Sequence, residues 1–227
     1  MSSAPEHAPE MVPMTIEHTA YVGILAPDEV TPETPLLLAL HGYGQSSKRF
    51  LRDFKPLRER GVLVVAPQGP SQLYMRYDPP AVGFSWLTKY EKENSIADFL
   101  KYMAQVYSLI GQRYPSATRK TLLLGFSQGV AMAYRVAARA GVHPSGLIAC
   151  CADMPPDVAD LLTAMPRFPV LLVHGKDDPL ISIEKSYHAE TQLKEWSYPV
   201  DTHFFDGGHL LEPPQVEHIA DWICERV

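Results

Sequence analysis

Two serines of this 227-residue chain stand in the same tripeptide, Gly83-Phe84-Ser85 and Gly125-Phe126-Ser127. A serine hydroxyl becomes a nucleophile only where a base can take its proton and donors can meet the oxyanion that its attack creates. Gln128-Gly129 follows Ser127 and completes a Gly-x-Ser-x-Gly pattern, whereas Ser85 is followed by Trp86, Leu87 and Thr88 with no second glycine. Thr121 to Phe126 is an apolar run of strand length, and Val130, Ala131, Ala133, Val136 and Ala137 continue as a helix. A serine at such a junction sits on a sharp strand-to-helix turn. Gly125 and Gly129 keep that turn free of side chains, and the Gln128 N–H falls at a helix N-terminus, where negative charge is favoured. Ser127 is therefore the candidate nucleophile, and Ser85 is expected to border its pocket.

If Ser127 attacks, a base and an acid are needed at other strand ends. After the apolar run "PVLLVHG" come Lys176-Asp177-Asp178-Pro179, and after "VDTHFFDGG" comes His209. Pro179 favours an extended Asp178, which is preferred to Asp177 as the carboxylate that orients the imidazole. Among nine histidines only His209 combines a strand end, a glycine pair and a position after the acid; His174 reads as part of the turn leading to Asp178. His41-Gly42-Tyr43-Gly44 ends another apolar strand. Its glycines expose backbone donors, so the N–H groups of Tyr43 and Gln128 form the expected oxyanion hole.

These residues need a frame that brings strand ends together. Strand-length runs recur at Thr15 to Leu25, Leu36 to His41, Val62 to Ala66, Thr121 to Phe126, Gly146 to Cys151, Val170 to His174 and Val200 to Phe205. Helical spacing falls between them, over Ser46 to Arg60, Ile96 to Ile110, Gln128 to Ala140, Ile183 to Trp196 and Pro214 to Arg226. Near-continuous apolar strands alternating with amphipathic helices predict an α/β fold, a mostly parallel twisted sheet covered on both faces. Residues 14–227 are expected to form one domain behind a mobile leader, 1–13. Residues 67–91 carry four prolines, three tyrosines and a tryptophan without a period. They read as an irregular loop, either a lid or substrate wall or a surface excursion held by its aromatics.

A net charge of −6, with scattered lysines and arginines, excludes a phosphate-binding stripe, so no nucleic-acid partner is expected. No run reaches membrane-spanning length, and the leader, with glutamates and prolines, lacks the apolar core of a secretory signal. Cys150, Cys151 and Cys224 are an odd set with no metal-ligand spacing, which suits buried thiols in a reducing cytoplasm.

The stretches "LLLALHGYG", "LLLGFSQGVAMA", "VLLVHGKDDPLI" and "DGGHLLEP" resemble α/β-hydrolases, more narrowly the phospholipase/carboxylesterase family that includes acyl-protein thioesterases. That resemblance implies an α/β-hydrolase fold with minimal or no separate cap domain. It also implies a Ser127, Asp178, His209 triad, Tyr43 and Gln128 as backbone donors, and no metal or organic cofactor. The expected activity is a serine carboxylesterase on small-molecule carboxylic esters, with thioesters and lysophospholipids as neighbouring substrate classes, in a monomer or homodimer. Val130 and Tyr43 depart from common family residues without touching a backbone hole. Tyr74, Tyr77, Phe84 and Trp86 are the expected substrate wall, which favours an apolar or aryl group. A serine peptidase, or a ligand-binding sensor with little turnover, would use the same residues.

Overall fold

Leucine- and valine-rich runs become the central strands because each of their residues is buried against one face of the sheet or the other. The computed structural model describes residues 9–115 and 117–226, so residues 1–8 of the expected leader lie outside them. Among the described residues nine strands form: β1 (Val22–Leu25), β2 (Leu36–Leu40), β3 (Leu63–Pro67), β4 (Ser71–Tyr77), β5 (Pro80–Ser85), β6 (Thr121–Phe126), β7 (Gly146–Cys150), β8 (Val170–Gly175) and β9 (Val200–Phe205). Seven make one sheet in the order β1-β3-β2-β6-β7-β8-β9. Only β1 runs antiparallel to its neighbour, so the expected mostly parallel sheet is what forms.

Successive residues of a strand point to opposite faces, and the core divides accordingly. Leu36, Leu38 and Leu40 of β2 and Leu123 of β6 pack with α3 (Lys92–Arg113), α4 (Gln128–Arg139) and α6 (Glu184–Glu195). Leu37 and Ala39 of β2, with Leu122, Leu124 and Phe126 of β6, pack with α1 (Ser47–Phe50), α2 (Lys55–Glu59) and α7 (Pro213–Cys224). A short α5 (Ala159–Ala164) precedes β8. Behind α4, the buried Arg135 binds the Asp157 carboxylate at 2.7 and 3.0 Å and ties the helix to the turn before α5.

Three expectations change. Residues 67–91 are not irregular throughout: β4 and β5 pair as an antiparallel hairpin, with a register shift between Tyr74 and Arg76. The alternating Tyr74, Val82 and Phe84 carried that signal, masked by Pro79 and Pro80 at the turn. The first strand is only Val22–Leu25, since residues 9–19 are exposed and outside regular structure. The helix expected over Ser46 to Arg60 is interrupted by a 3-10 turn, Leu51–Phe54, ahead of Pro56.

Candidate active site

Ser127, Asp178 and His209 each follow the carboxyl end of a parallel strand, β6, β8 and β9, which gathers residues far apart in sequence along one edge of the sheet. Ser127 follows β6 with φ 52° and ψ −120°, a left-handed conformation that costs a serine on the order of 1–3 kcal/mol. The surroundings impose it. Ser127 N–H donates to Cys150 O at 2.8 Å, and Val130 N–H donates to Ser127 O at 3.0 Å. A Cβ on Gly125 would lie 2.4 Å from Gly129 O, and one on Gly129 would lie 2.0 Å from Leu40 O. Both glycines are therefore needed for α4 to pack against β6 and β2.

The loops after β8 and β9 meet at a second close approach. A Cβ on Gly175 would lie 2.3 Å from the carbonyl oxygens of both Gly207 and Gly208. Asp177 N–H donates to Gly207 O at 2.9 Å, and Lys176 pairs with Asp206 at 2.7 Å. Across this junction His209 Nδ1 donates to Asp178 Oδ2 at 2.7 Å. The Asp178 side chain is fully buried, whereas Asp177 is exposed. Burial pushes the Asp178 carboxyl up, but hydrogen bonds from Ile181 N–H, His209 and Leu180 N–H outweigh it and hold the group below its ordinary range. His174 is buried beside it, with Nε2 donating to Ile181 O at 2.9 Å and Nδ1 accepting from Ser186 Oγ at 2.6 Å. These bonds hold the turn that carries Asp178.

The His209 ring lies 5.1 Å from that of Phe126, the residue before Ser127, and its side chain is 11% exposed. Among the described residues the Ser127 hydroxyl has no hydrogen-bond partner. A nucleophile–base bond that is open without substrate commonly tightens when substrate binds. Cys151, Asp178 and His209 bring possible metal-ligating atoms within 4.8 Å of one another. Burial pushes the Cys151 thiol up to about 11, so it stays protonated and a poor ligand, and the carboxylate is already engaged by its own donors. As a set these residues fit proton transfer better than metal binding.

The loop after β2 borders the elbow, since a Cβ on Gly42 would lie 3.2 Å from Ser127 Cβ. Gly42 N–H donates to Gln45 Oε1 at 2.7 Å, and neither the Tyr43 nor the Gln128 N–H has a hydrogen-bond partner among the described residues. Sequence reasoning gave no part to His41, which organises this loop. Its buried Nδ1 donates to Gly42 O at 2.8 Å, and its Nε2 accepts from Gly69 N–H at 2.9 Å and from the Gln68 amide at 3.0 Å. Burial lowers the His41 pKa, which matches an Nε2 that accepts. The signal lay in a histidine ending a fully apolar strand.

The expected wall residues part company. Trp86 is 2% exposed, edge-on to Phe99, and its indole N–H donates to His41 O at 2.7 Å. Tyr74 and Tyr77 stack on each other in the exposed hairpin with centroids 5.3 Å apart. Phe84 is half-buried and lines a groove of about 570 Å³ with Val22, Ile24, Leu51 and Val82. Ser85 does not open to a pocket but is buried against the Gln128 side chain. A second cavity of about 330 Å³, beside Pro144 and Phe168, lies at the opposite ends of β7 and β8.

A mostly parallel sheet, helices on both faces and a serine elbow at a strand end define an α/β-hydrolase. The chain belongs to the phospholipase/carboxylesterase family, whose sequence model matches residues 23–225. Its fold is similar to that of esterase PE8, with a TM-score of 0.73 and 19% identity over 92% of this chain and 99% of that one. A Bacillus cereus carboxylesterase gives a TM-score of 0.72 at 18% identity over 92% and 95% of the two chains. Zea mays acyl-protein thioesterase 2 gives 0.64 at 16% over 92% and 99%. A Bacillus subtilis protein named uncharacterized peptidase YtmA is 35% identical over 63 residues, 26% of this chain and 24% of that protein, so the match spans about a quarter of the relative's length. No helix among the described residues is long and apolar enough to cross a membrane.

Proposed function

We propose that the protein is a serine esterase that hydrolyses carboxylic esters through an acyl-enzyme on Ser127. The observation that carries this is the 2.7 Å bond from His209 Nδ1 to the buried Asp178 carboxylate, beside an elbow that strains Ser127. With Nδ1 committed as a donor, Nε2 is the nitrogen free to take the Ser127 proton. The serine oxygen attacks the acyl carbonyl, and the two unpaired N–H groups of Tyr43 and Gln128 stabilise the oxyanion. The imidazolium then protonates the leaving alcohol, and water activated by His209 releases the acid. Thioesters and lysophospholipids can follow the same route, and the steps need no metal or organic cofactor.

Phe84, Tyr74 and Tyr77 of the hairpin are the proposed apolar wall for the substrate, while Trp86 supports the oxyanion loop through its indole bond to His41 O. A p-nitrophenyl ester chain-length series beside an acyl thioester tests the reading. Wild type should turn over and be labelled by a fluorophosphonate at Ser127, whereas Ser127→Ala should lose both. Full activity in Ser127→Ala would overturn the assignment, and labelling without turnover would favour a ligand-binding sensor. The partial peptidase relative motivates one further arm, an acyl p-nitroanilide, which should be cleaved far more slowly than the matching ester.

A further inference from the structure

The two donors proposed for the oxyanion hole come from separate elements, Tyr43 from the loop after β2 and Gln128 from the start of α4, and no hydrogen bond joins them directly. A third segment is bonded to both. Toward the β2 loop, Gly44 N–H donates to Phe84 O at 2.8 Å and the Trp86 indole donates to His41 O at 2.7 Å. Toward α4, Trp86 N–H donates to Gln128 Oε1 at 3.0 Å, and Gln128 Nε2 donates to Leu87 O at 2.8 Å and to Ser85 Oγ at 3.1 Å. The single Ser85 proton has two acceptors, Gln128 Oε1 and Leu87 O, each at 3.2 Å. Ser85 is 2% exposed, so water cannot replace these partners. A Cβ on Gly83 would lie 2.3 Å from Gly44 O, which presses the same strand onto the β2 loop.

We infer that residues 84–87, at the base of the hairpin, are the spacer that sets the separation of the two oxyanion donors, with Ser85 and the Gln128 side chain as positioning residues. This rests on the esterase reading. Donors must sit where the oxyanion develops rather than where the ground-state carbonyl lies, so a spacer acts on kcat and leaves ester binding nearly unchanged. Losing a whole donor costs about 10²–10³ in rate, and a displaced one should cost about tenfold.

The test measures kcat and KM on p-nitrophenyl acetate for wild type, Ser85→Ala, Gln128→Met and the double variant, with inhibition by a trifluoromethyl ketone that forms a tetrahedral adduct on the serine. The expected result is a kcat about tenfold lower in each single variant, KM within about threefold, and ketone affinity falling in parallel with kcat. The double variant should be no worse than the poorer single, because both changes open one clamp. Wild-type kcat and ketone affinity in a folded Ser85→Ala would overturn the spacer while leaving the esterase reading intact. So would a Ser85→Ala loss confined to KM or thermal stability. Should Ser85→Ala not fold, Gln128→Met, which keeps the volume and loses the amide, decides the matter by the same criteria. An unlabelled, inactive wild type would overturn the esterase reading and the spacer with it.

Discussion

Asp178 Oδ2 accepts the Nδ1 proton of His209 at 2.7 Å, while Asp178 Oδ1 accepts the N–H groups of Leu180 at 2.8 Å and Ile181 at 2.9 Å. One buried carboxylate thus orients the candidate base and caps its own turn. Asp178→Asn keeps an acceptor for the two amides but cannot hold the same imidazole tautomer. It should lower kcat by about 10³–10⁴ and cost less stability than removing the side chain. Asp178→Ala should lose activity equally and a further 1–3 kcal/mol or so of stability, from the unsatisfied amides. Near wild-type kcat in Asp178→Asn would remove Asp178 from the mechanism.

The pH dependence of stability should show two separate windows. His41 and His203 are held below the ordinary value of 6.5 by burial, His203 also by the stacked His218. The unfolded chain takes up their protons first, so stability is full above pH 6.5 and falls as pH drops toward the lowered values. Asp178 and Asp157 are held below 3.8, Asp157 mainly by its hydrogen bond with Arg135. Their contribution is present above pH 3.8 and is lost as pH falls through the lowered values. Urea melts from pH 8 to 3 should therefore show an early decline, made shallower by His203→Gln, and a later one made shallower by Asp178→Asn.

Glycine substitutions should separate packing from conformation. Gly129→Ala would set a methyl 2.0 Å from Leu40 O, between α4 and a central strand, and should cost more than about 3 kcal/mol or prevent folding. Gly111→Ala, inside α3 with nothing within 4 Å of the added carbon, should instead stabilise by about 0.5–1 kcal/mol. Gly175→Ala should displace the His209 loop, so activity falls more than stability does. Chemical denaturation beside an ester assay distinguishes the three.

Behind α4, Arg135 has a side chain only 4% exposed and relies on Asp157, which also meets Lys92 at 3.7 Å and Arg139 at 3.3 Å. Asp157→Ala strands that buried guanidinium and should cost about 3–5 kcal/mol. Removing both partners, as Arg135→Met with Asp157→Ala, should recover part of the loss. A double variant no more stable than Asp157→Ala would mean that the buried charge is not the cause.

Much of this was legible in the chain because it rests on local chemistry. Fully buried strands must be apolar along their whole length, so β2, β3, β6, β7 and β8 stood out within a residue or two at each end. The turn at Ser127 was equally plain, because only glycine tolerates the contacts at 125 and 129. The hairpin was not, since two prolines at a turn and an exposed face blur the alternation of its residues. Nor was the burial of Trp86, because an aromatic reads alike whether it walls a pocket or supports a loop.

Sequence alone determined the order of the seven main-sheet strands and the longer helices, the place of Ser127 on its elbow, and the strand ends from which an acid and a base could come, because these follow from periodicity and local sterics. Only the tertiary structure decided which aspartate faces His209, through the contact of Gly175 with Gly207 and Gly208. It also decided that the two Gly-Phe-Ser copies converge, with Ser85 bonded to the residue after Ser127. Those partners lie more than thirty residues apart, and no local propensity encodes a contact that exists only once the sheet has brought its strand ends together.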